Sequence, residues 1–316
     1  MSKKENSAYS IRRRHGGKLL KSKTRDNLLG FVLLLPAIAL CVAFILIPIV
    51  DSVRMSFTNY KLVNLTQGIP GEWNQFANYI RLWSAGKLQS AILLTVRFVV
   101  ITVSLTFVIS LTLALLLNGN IKGARILRSV MMIPWVIPTV IAGLMWAWIY
   151  ANPYGIVQYL VRVFSGGAIT DFGMLSNKAT AMWGVIIAAL WKQIPLMALL
   201  LIAGLQNVSD DIIEAAKIDG AGYFPRLFHI VLPSMKNVIA TVVSMCIIDN
   251  FKQYPLFATL TNGGPAGATT TLAVLSYDEA FVNYNYGSGA AVTTVWLLIM
   301  IIVVFLFNLV FKREEE

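Results

Sequence analysis

Charged residues are scarce in this chain of 316 residues, which excludes a soluble domain as its main body. Only 13% of the residues are charged, whereas soluble domains carry roughly a quarter. Hydrophobic residues make up 57% of the sequence, and the mean hydropathy is +0.70. This balance is typical of an integral membrane protein.

Cysteine and histidine are equally rare, with two residues of each type. Cys41 and Cys246 both lie in apolar runs, so the sequence predicts neither a disulfide framework nor a metal site. His15 and His229 are too few to build a histidine-rich site.

Apolar runs long enough to cross a bilayer are plentiful. A spanning helix needs about 20 apolar residues. Six segments reach that length: Leu28–Val50, Ile92–Leu117, Leu127–Tyr150, Ala179–Gly204, Val238–Leu260 and Ala290–Phe311. The sequence therefore predicts an all-α membrane protein with six transmembrane helices over residues 28–311. The first run is too long for a cleaved signal peptide.

The distribution of positive charge predicts the orientation of these spans. Residues 1–27 form a densely basic tail, whereas Thr261–Gly289 has no lysine or arginine. By the positive-inside rule, both termini and the segment 205–236 are cytoplasmic, with residues 312–316 as the C-terminal tail. The basic tail favours a topogenic arm next to membrane lipid over a specific binding site, and no nucleic-acid partner is expected.

Proline is frequent within the predicted spans. Each proline frees a backbone carbonyl, which lipid tolerates only where neighbouring helices or a watery cavity satisfy it. A simple anchor has little use for so many such positions: Pro36, Pro48, Pro134, Pro138, Pro195 and Pro255. In the second span, Thr102, Thr106 and Ser110 form a small polar stripe that predicts a contact between helices.

A polar segment, 205–236, separates the fourth and fifth spans on the predicted inner side. Asp211 followed by Glu214 resembles a capping box that starts a short helix, and Gly220 suits its end. The mixture of small, acidic and apolar residues suits a helix that lies in a groove of a partner. The alternative is an amphipathic hairpin on lipid, which the acidic residues disfavour beside an anionic leaflet.

The same segment resembles the EAA loop of ABC importer permeases. The matching residues are Glu214-Ala215-Ala216, Asp219-Gly220-Ala221 and Ile230-Val231-Leu232-Pro233. Other stretches are similar to the sugar-type branch, which includes the membrane subunits of the maltose transporter: Pro134-Trp135-Val136-Ile137-Pro138, Trp191-Lys192 with Pro195, and Leu260-Thr261-Asn262-Gly263-Gly264-Pro265. The resemblance covers nearly the whole chain and implies a plain six-span, type I permease without a large inserted outer domain.

The resemblance implies an importer of a carbohydrate, with an oligosaccharide favoured, in a prokaryotic cell membrane. Its other parts are a second homologous permease chain, a cytoplasmic ATPase dimer and an extracytoplasmic sugar-binding protein. ATP and magnesium belong to the ATPase dimer, and this chain is expected to be neither an enzyme nor a cofactor-binding protein. Its Gly16-Gly17-Lys18-Leu19 lacks the upstream glycine and the hydroxyl residue of a P-loop. The residues that the resemblance assigns to ATPase coupling are Asp211, Glu214, Ala215, Ala216, Asp219, Gly220, Ala221 and Pro233.

Polar residues cluster within the fourth and fifth spans, where they are costly and mark function by default. Asp249 and Lys252 can pair at i,i+3 spacing. Since carbohydrates are bound by planar polar groups and aromatic faces, this cluster is a candidate for a transient sugar site in the substrate pathway. Its members are Trp191, Lys192, Gln193, Asp249, Asn250, Lys252, Gln253 and Tyr254. The alternative is a structural ion pair or a contact with the partner permease.

Three other functions stay open from the sequence. Lys192 and Lys252 make an importer of a polyol, a phosphorylated polyol or an anionic oligosaccharide conceivable. A multispan receptor or scaffold could bind a partner through the loop, although the proline-broken spans argue against it. The lack of a detectable repeat disfavours a secondary transporter.

Overall fold

The structure is a computed structural model that describes residues 31–119 and 122–312. The described part is built of helices and one small sheet. The chain divides into two compact units, Met1–Arg54 and Met55–Glu316. The predicted tails, 1–27 and 312–316, lie outside the described residues except for Lys312.

The first predicted span is a helix, α1, over Phe31–Ser56. Its 26 residues reach about 39 Å, which is longer than the roughly 30 Å hydrocarbon core of a bilayer. A π-helical turn over Val42–Leu46 interrupts its regular hydrogen bonding. The helix continues past the predicted end at Val50, and the predicted start at Leu28 lies outside the described residues.

The segment between the first two spans is folded. It contains strand β1 (Thr58–Asn59), helix α2 (Leu62–Gln67), strand β2 (Glu72–Trp73) and helix α3 (Ala77–Ser84). The two strands pair antiparallel. Phe57, Trp73, Phe76 and Tyr79 form an aromatic cluster beside them, with ring centroids 5.4 to 6.0 Å apart.

The second predicted span is the continuous helix α4, Lys87–Leu117, which starts slightly earlier than expected. The predicted stripe of Thr102, Thr106 and Ser110 is fully buried along this helix. Ser110 Oγ donates to the carbonyl of Ile194 at 3.1 Å. The stripe therefore lies at a contact between helices, as its small polar residues predict.

The third predicted span, Leu127–Tyr150, is bent rather than straight. It consists of α5 (Ala124–Met131), α6 (Ile133–Val136) and α7 (Thr139–Ile149), and a short helix, α8 (Ile156–Phe164), follows. The two arms of the span meet at 93°. The bend falls at Pro138, which has no amide hydrogen and holds the preceding Ile137 in an extended conformation.

The fourth predicted span is α9, Ala181–Gln206, which packs along α4. Its bounds lie close to the predicted Ala179–Gly204. Pro195 lies inside this helix without ending it. The segment that follows contains α10 (Asp210–Ile218), α11 (Tyr223–Arg226), a π-helical turn (Leu227–Val231) and α12 (Leu232–Ser234).

The fifth predicted span, Val238–Leu260, is divided into α13 (Lys236–Phe251) and α14 (Pro255–Leu260). Residues 252–254 are not helical. Pro255 cannot donate to the carbonyl of Phe251, so the regular helix ends there. The axes of Tyr223–Ser234 and Lys236–Phe251 differ by 73°.

Helix α14 packs against α7, which joins the two divided spans. A glycine permits this close approach. A Cβ atom at Gly143 of α7 would lie 1.9 Å from Oγ1 of Thr259 in α14. The main core lies where α4, α9, α13 and α14 meet, with Phe98 against Phe257 at a centroid distance of 4.8 Å.

The chain ends with α15 (Leu272–Tyr277), a π-helical turn (Asp278–Val282) and α16 (Tyr286–Lys312), which contains the sixth predicted span. Glu279 is only 3% exposed and forms ion pairs with Lys87 at 2.7 Å and Arg81 at 3.4 Å. These contacts join the start of α4 to the segment before α16. The described part has four long apolar helices, or six spans if each bent pair counts as one, in line with the six predicted.

Candidate functional site

The predicted coupling loop contains the short helix α10, whose N-cap is Ser209. Asp211 was expected at that position, and this detail is wrong, because Asp211 already lies in the first helical turn and the capping box with Glu214 does not form. The serine immediately before the acidic pair was the signal for the true start. Asp210 and Asp211 instead place negative charge at the positive end of the helix dipole.

The end of α10 is confirmed at Gly220. This glycine has a φ of 77°, in the left-handed region that favours glycine. The amide of Gly220 donates to the carbonyl of Lys217 at 3.1 Å, and that of Ala221 donates to Ala216 at 2.9 Å. These two bonds are those of a Schellman motif, which stops the helix and satisfies its last carbonyls.

The two alanines of the motif have different surroundings. Ala216 is buried, with 7% exposure, whereas Glu214 and Ala215 are exposed. The two alanines are thus divided between the protein interior and the surface. Asp219 is also exposed, and Pro233 is exposed within α12 just before the 73° bend.

Large apolar side chains lie exposed around this helix. They are Ile212, Ile218, Tyr223, Phe224 and Phe228, and Ile218 reaches 86% exposure. An apolar patch of this kind beside carboxylates marks an interaction surface rather than a solvated linker.

The eight polar and aromatic candidates in the membrane do not form a single site. Gln193 and Asn250 form a reciprocal amide pair between α9 and α13, with distances of 2.8 and 3.1 Å. Asn250 is only 2% exposed, and its amide group also donates to the carbonyl of Cys246. This pair connects two spans, and its half-buried member Gln193 lines a small pocket together with Asp249.

Lys192 binds the backbone of the bent third span. Its Nζ donates to the carbonyl of Trp135 at 3.2 Å and also to that of Ile137. The Ile137 carbonyl directly precedes Pro138, and that of Trp135 belongs to the last turn of α6. Trp191 packs edge-on against Trp146 at 5.9 Å. The role of Lys192 as a clamp on this bend could not be read from spacing, because its partners are far away in sequence.

Asp249 and Lys252 form the predicted i,i+3 ion pair, with 3.5 Å between the carboxylate and the ammonium. Their side chains are 49% and 58% exposed. They line a groove of about 470 Å³ along α13, together with Thr241, Ser244 and Asn308. Sequence reasoning did not include these three small polar residues in the pathway, although Thr241 and Ser244 precede Asp249 on the same helix.

The last two candidates lie in the break between α13 and α14. Gln253 is half-buried there. Tyr254 packs on Tyr277, with ring centroids 4.8 Å apart and an interplanar angle of 30°. The candidates therefore form an amide pair, a backbone clamp, an exposed ion pair at Asp249 and Lys252, and two half-buried residues, Gln253 and Tyr254.

Long apolar helices, two bent spans and a structured loop between the fourth and fifth spans indicate a multi-pass membrane protein. The family model for the inner membrane component of binding-protein-dependent transport systems matches residues 106–315. The chain belongs to this family, in agreement with the resemblance of its loop motif.

Similar proteins support this assignment over nearly the full length. The trehalose/maltose transport system permease protein MalF of Thermococcus litoralis is 32% identical, over 93% of this chain and 98% of that protein. The sn-glycerol-3-phosphate transport system permease protein UgpA of Brucella abortus is 31% identical, over 91% of this chain and 96% of that protein.

The fold is also that of a solved transporter. A chain of the crystal structure of a bacterial ABC transporter involved in the import of the acidic polysaccharide alginate superposes with a TM-score of 0.77. The identity is 19%, and the match covers 94% of this chain and 99% of that one. The fold is therefore that of an ABC importer permease, and the chain is a multi-pass membrane protein.

Proposed function

We propose that this chain is one of two permease subunits of an ATP-driven importer for a carbohydrate. An extracytoplasmic binding protein delivers the cargo, and a cytoplasmic dimer of separate ATPase subunits hydrolyses ATP. The Schellman-capped helix α10, with exposed Glu214 next to exposed apolar side chains, is the observation that carries this proposal.

The loop is suited to transmit motion because one of its sides is held by the permease itself. Ala216 is buried and Ile213 packs on the main core, so α10 has an inner anchor. Its outer side offers Glu214 and Ile218 to a groove in an ATPase subunit. A displacement of α10 therefore reaches α13 through the bent segment between Tyr223 and Phe251.

A neutral carbohydrate is the cargo that fits the membrane cluster best. The ammonium of Lys252 is paired with Asp249, and that of Lys192 is satisfied by two backbone carbonyls. An anionic cargo would therefore have to compete with Asp249 for Lys252 and with the two carbonyls for Lys192. MalF, a transporter subunit for trehalose and maltose by its name, favours the same choice.

A phosphorylated polyol is the second candidate, because UgpA is named for sn-glycerol-3-phosphate. This cargo requires the exposed Lys252 to leave Asp249 and bind a phosphate. Asp249→Asn should then strengthen uptake of the phosphorylated cargo and leave uptake of a neutral sugar unaffected or weaker.

The alternative function, a multispan receptor or scaffold, is disfavoured because the chain belongs to a family of transport proteins.

The substrate pathway that we propose is the exposed surface of α13. It runs from Asp249 and Lys252 along Ser244 and Thr241, with Asn308 on the facing helix α16. The amide pair of Gln193 and Asn250 and the clamp formed by Lys192 support this surface from behind. We propose that both termini and α10 are cytoplasmic, and the basic residues of the tail and the loop support this orientation.

The coupling role can be tested in proteoliposomes that contain the complete importer. Glu214→Lys and Gly220→Pro should lower uptake and cargo-stimulated ATP hydrolysis by at least about tenfold, because both change the surface offered to the ATPase. The chain should still insert and be recovered in the membrane at the same level.

Glu72→Lys is the matched control, since Glu72 is an exposed glutamate on β2, far from the loop in sequence. This variant should transport like the wild type. Normal stimulation of ATP hydrolysis in the Glu214 and Gly220 variants contradicts the coupling role.

A further inference from the structure

Five aromatic side chains form an unbroken series of ring contacts that starts at the membrane cluster. We name this series the aromatic ladder, and its members are Tyr254, Tyr277, Phe281, Tyr286 and Tyr60. Successive ring centroids lie 4.8, 5.0, 6.2 and 6.0 Å apart.

The ladder is assembled from four separate parts of the chain. Tyr254 lies in the break between α13 and α14, and Tyr277 ends α15. Phe281 follows one turn later because the π-helical turn Asp278–Val282 continues the helix. Tyr286 starts α16, and Tyr60 follows β1.

The contact between Tyr286 and Tyr60 is fixed by the backbone. The amide of Gly287 donates to the carbonyl of Tyr60 at 2.9 Å. A Cβ atom at Gly287 would lie 2.2 Å from the carbonyl oxygen of Thr58, so the glycine lets the two segments approach. The ladder thereby reaches the folded segment between the first and second spans.

Two rings of the ladder are exposed, and the other three, Tyr254, Tyr286 and Tyr60, are half-buried. Phe281 is 56% exposed and Tyr277 is 41% exposed. Four of the five rings carry a phenolic hydroxyl, which can donate and accept hydrogen bonds at the ring edge. Planar apolar faces with hydroxyl edges complement pyranose rings, which have an apolar C–H face and a rim of hydroxyl groups.

The spacing of successive rings, 4.8 to 6.2 Å, is comparable to the length of one pyranose unit, and Tyr254 lies two residues after Lys252 of the ion pair. We propose that the aromatic ladder is a stacking track on which successive sugar rings of an oligosaccharide move between the outer surface and the groove of α13. This inference rests on the proposed carbohydrate cargo, and it assigns the track to residues outside the predicted polar cluster except for Tyr254.

The test uses the complete importer in proteoliposomes and a panel of neutral disaccharides and pentasaccharides of the gluco and chito series. Phe281→Leu keeps an apolar side chain but removes the planar face. It should lower pentasaccharide uptake by about three- to tenfold more than disaccharide uptake, since a long cargo uses more rings than a short one. Phe281→Tyr, which keeps the ring, should restore the preference for the longer sugar.

Phe76→Leu is the matched control. Phe76 is an exposed phenylalanine, at 61%, in the separate aromatic cluster with Phe57 and Tyr79. Its substitution should leave the ratio of pentasaccharide to disaccharide uptake unchanged.

Three results would refute the role of the aromatic ladder as a stacking track. The first is equal uptake by the Phe281→Leu variant and the wild type, and the second is an equal loss of uptake for both cargo lengths. The third is loss of the second permease chain from the purified complex of the variant. The last two indicate that Phe281 contacts the binding protein or the partner permease instead of cargo. A wild-type importer that takes up no sugar of the panel contradicts the proposed cargo itself, and the ladder inference falls with it.

Discussion

Replacement of Gly220 by alanine tests the coupling loop through a single backbone angle. The φ of 77° at Gly220 is costly for any residue with a Cβ, by about 1–2 kcal/mol. No atom lies within 4 Å of a Cβ atom built there, so the substitution adds strain without a clash. The strain destabilises the loop conformation in which the two hydrogen bonds at the end of α10 form.

The effect on ATPase binding follows from this cost. The alanine variant relaxes to other loop conformations when it is free, and it has to return to the strained one in order to dock. Since about 1.4 kcal/mol corresponds to a factor of ten, the affinity for the ATPase subunits should fall by up to about 5- to 30-fold. The measurement is a titration of permease-filled nanodiscs with ATPase subunits. Gly220→Asn should lie in between, because asparagine tolerates the left-handed region.

Gly68→Ala is the matched control for this experiment. Gly68 ends α2 with a φ of 65°, and no atom lies within 4 Å of a Cβ atom there either. The control carries the same backbone strain in a segment that is not part of the loop. If both variants bind the ATPase subunits alike, the reasoning about α10 is refuted.

Two further predictions concern other parts of the fold. Asn250→Leu should lower the free energy of unfolding in detergent by about 1–3 kcal/mol, because it leaves the Gln193 amide unpaired. The double variant with Gln193→Leu should recover part of this loss, and additive losses of the two single variants would contradict the pairing. Burial and the neighbouring Glu279 carboxylate raise the pKa of Asp278, and the Lys87 ammonium opposes this shift only in part. Between the ordinary and the raised value the folded protein binds more protons than the unfolded chain, so stability should increase as the pH is lowered through this window. Asp278→Asn should remove that slope and stabilise the protein at neutral pH, as measured by thermal unfolding, and a wild-type protein without the slope would disprove the assignment.

The long helices could be predicted because the length of an apolar run determines them by itself. Helices α4, α9 and α16 lie in long, predominantly apolar runs. The prolines marked where the third and fifth spans would be irregular, but they did not give the bend of 93° at Pro138. That angle depends on the packing of α7 against α14, which is a contact between distant parts of the chain.

The sequence predicted which residues belong to the candidate site, but not which partners most of them contact. The spacing of Asp249 and Lys252 gave their ion pair, because i,i+3 neighbours share one helix face. The partners of Lys192 and Gln193 lie more than fifty residues away in the chain, so no local pattern could give them. For the same reason, the ring contact of Tyr254 with Tyr277 at the end of α15 became visible only in the folded structure.

The buried Glu279 has a mechanical consequence. Its two ion pairs, with Lys87 and Arg81, fasten the beginning of α4 to the segment in front of α16. Separating these groups would leave the buried Glu279 carboxylate without a positive partner, which costs about 3–5 kcal/mol. The N-terminal ends of these two helices are therefore expected to stay together, so that a displacement of their C-terminal ends tilts the helices about this point instead of separating them.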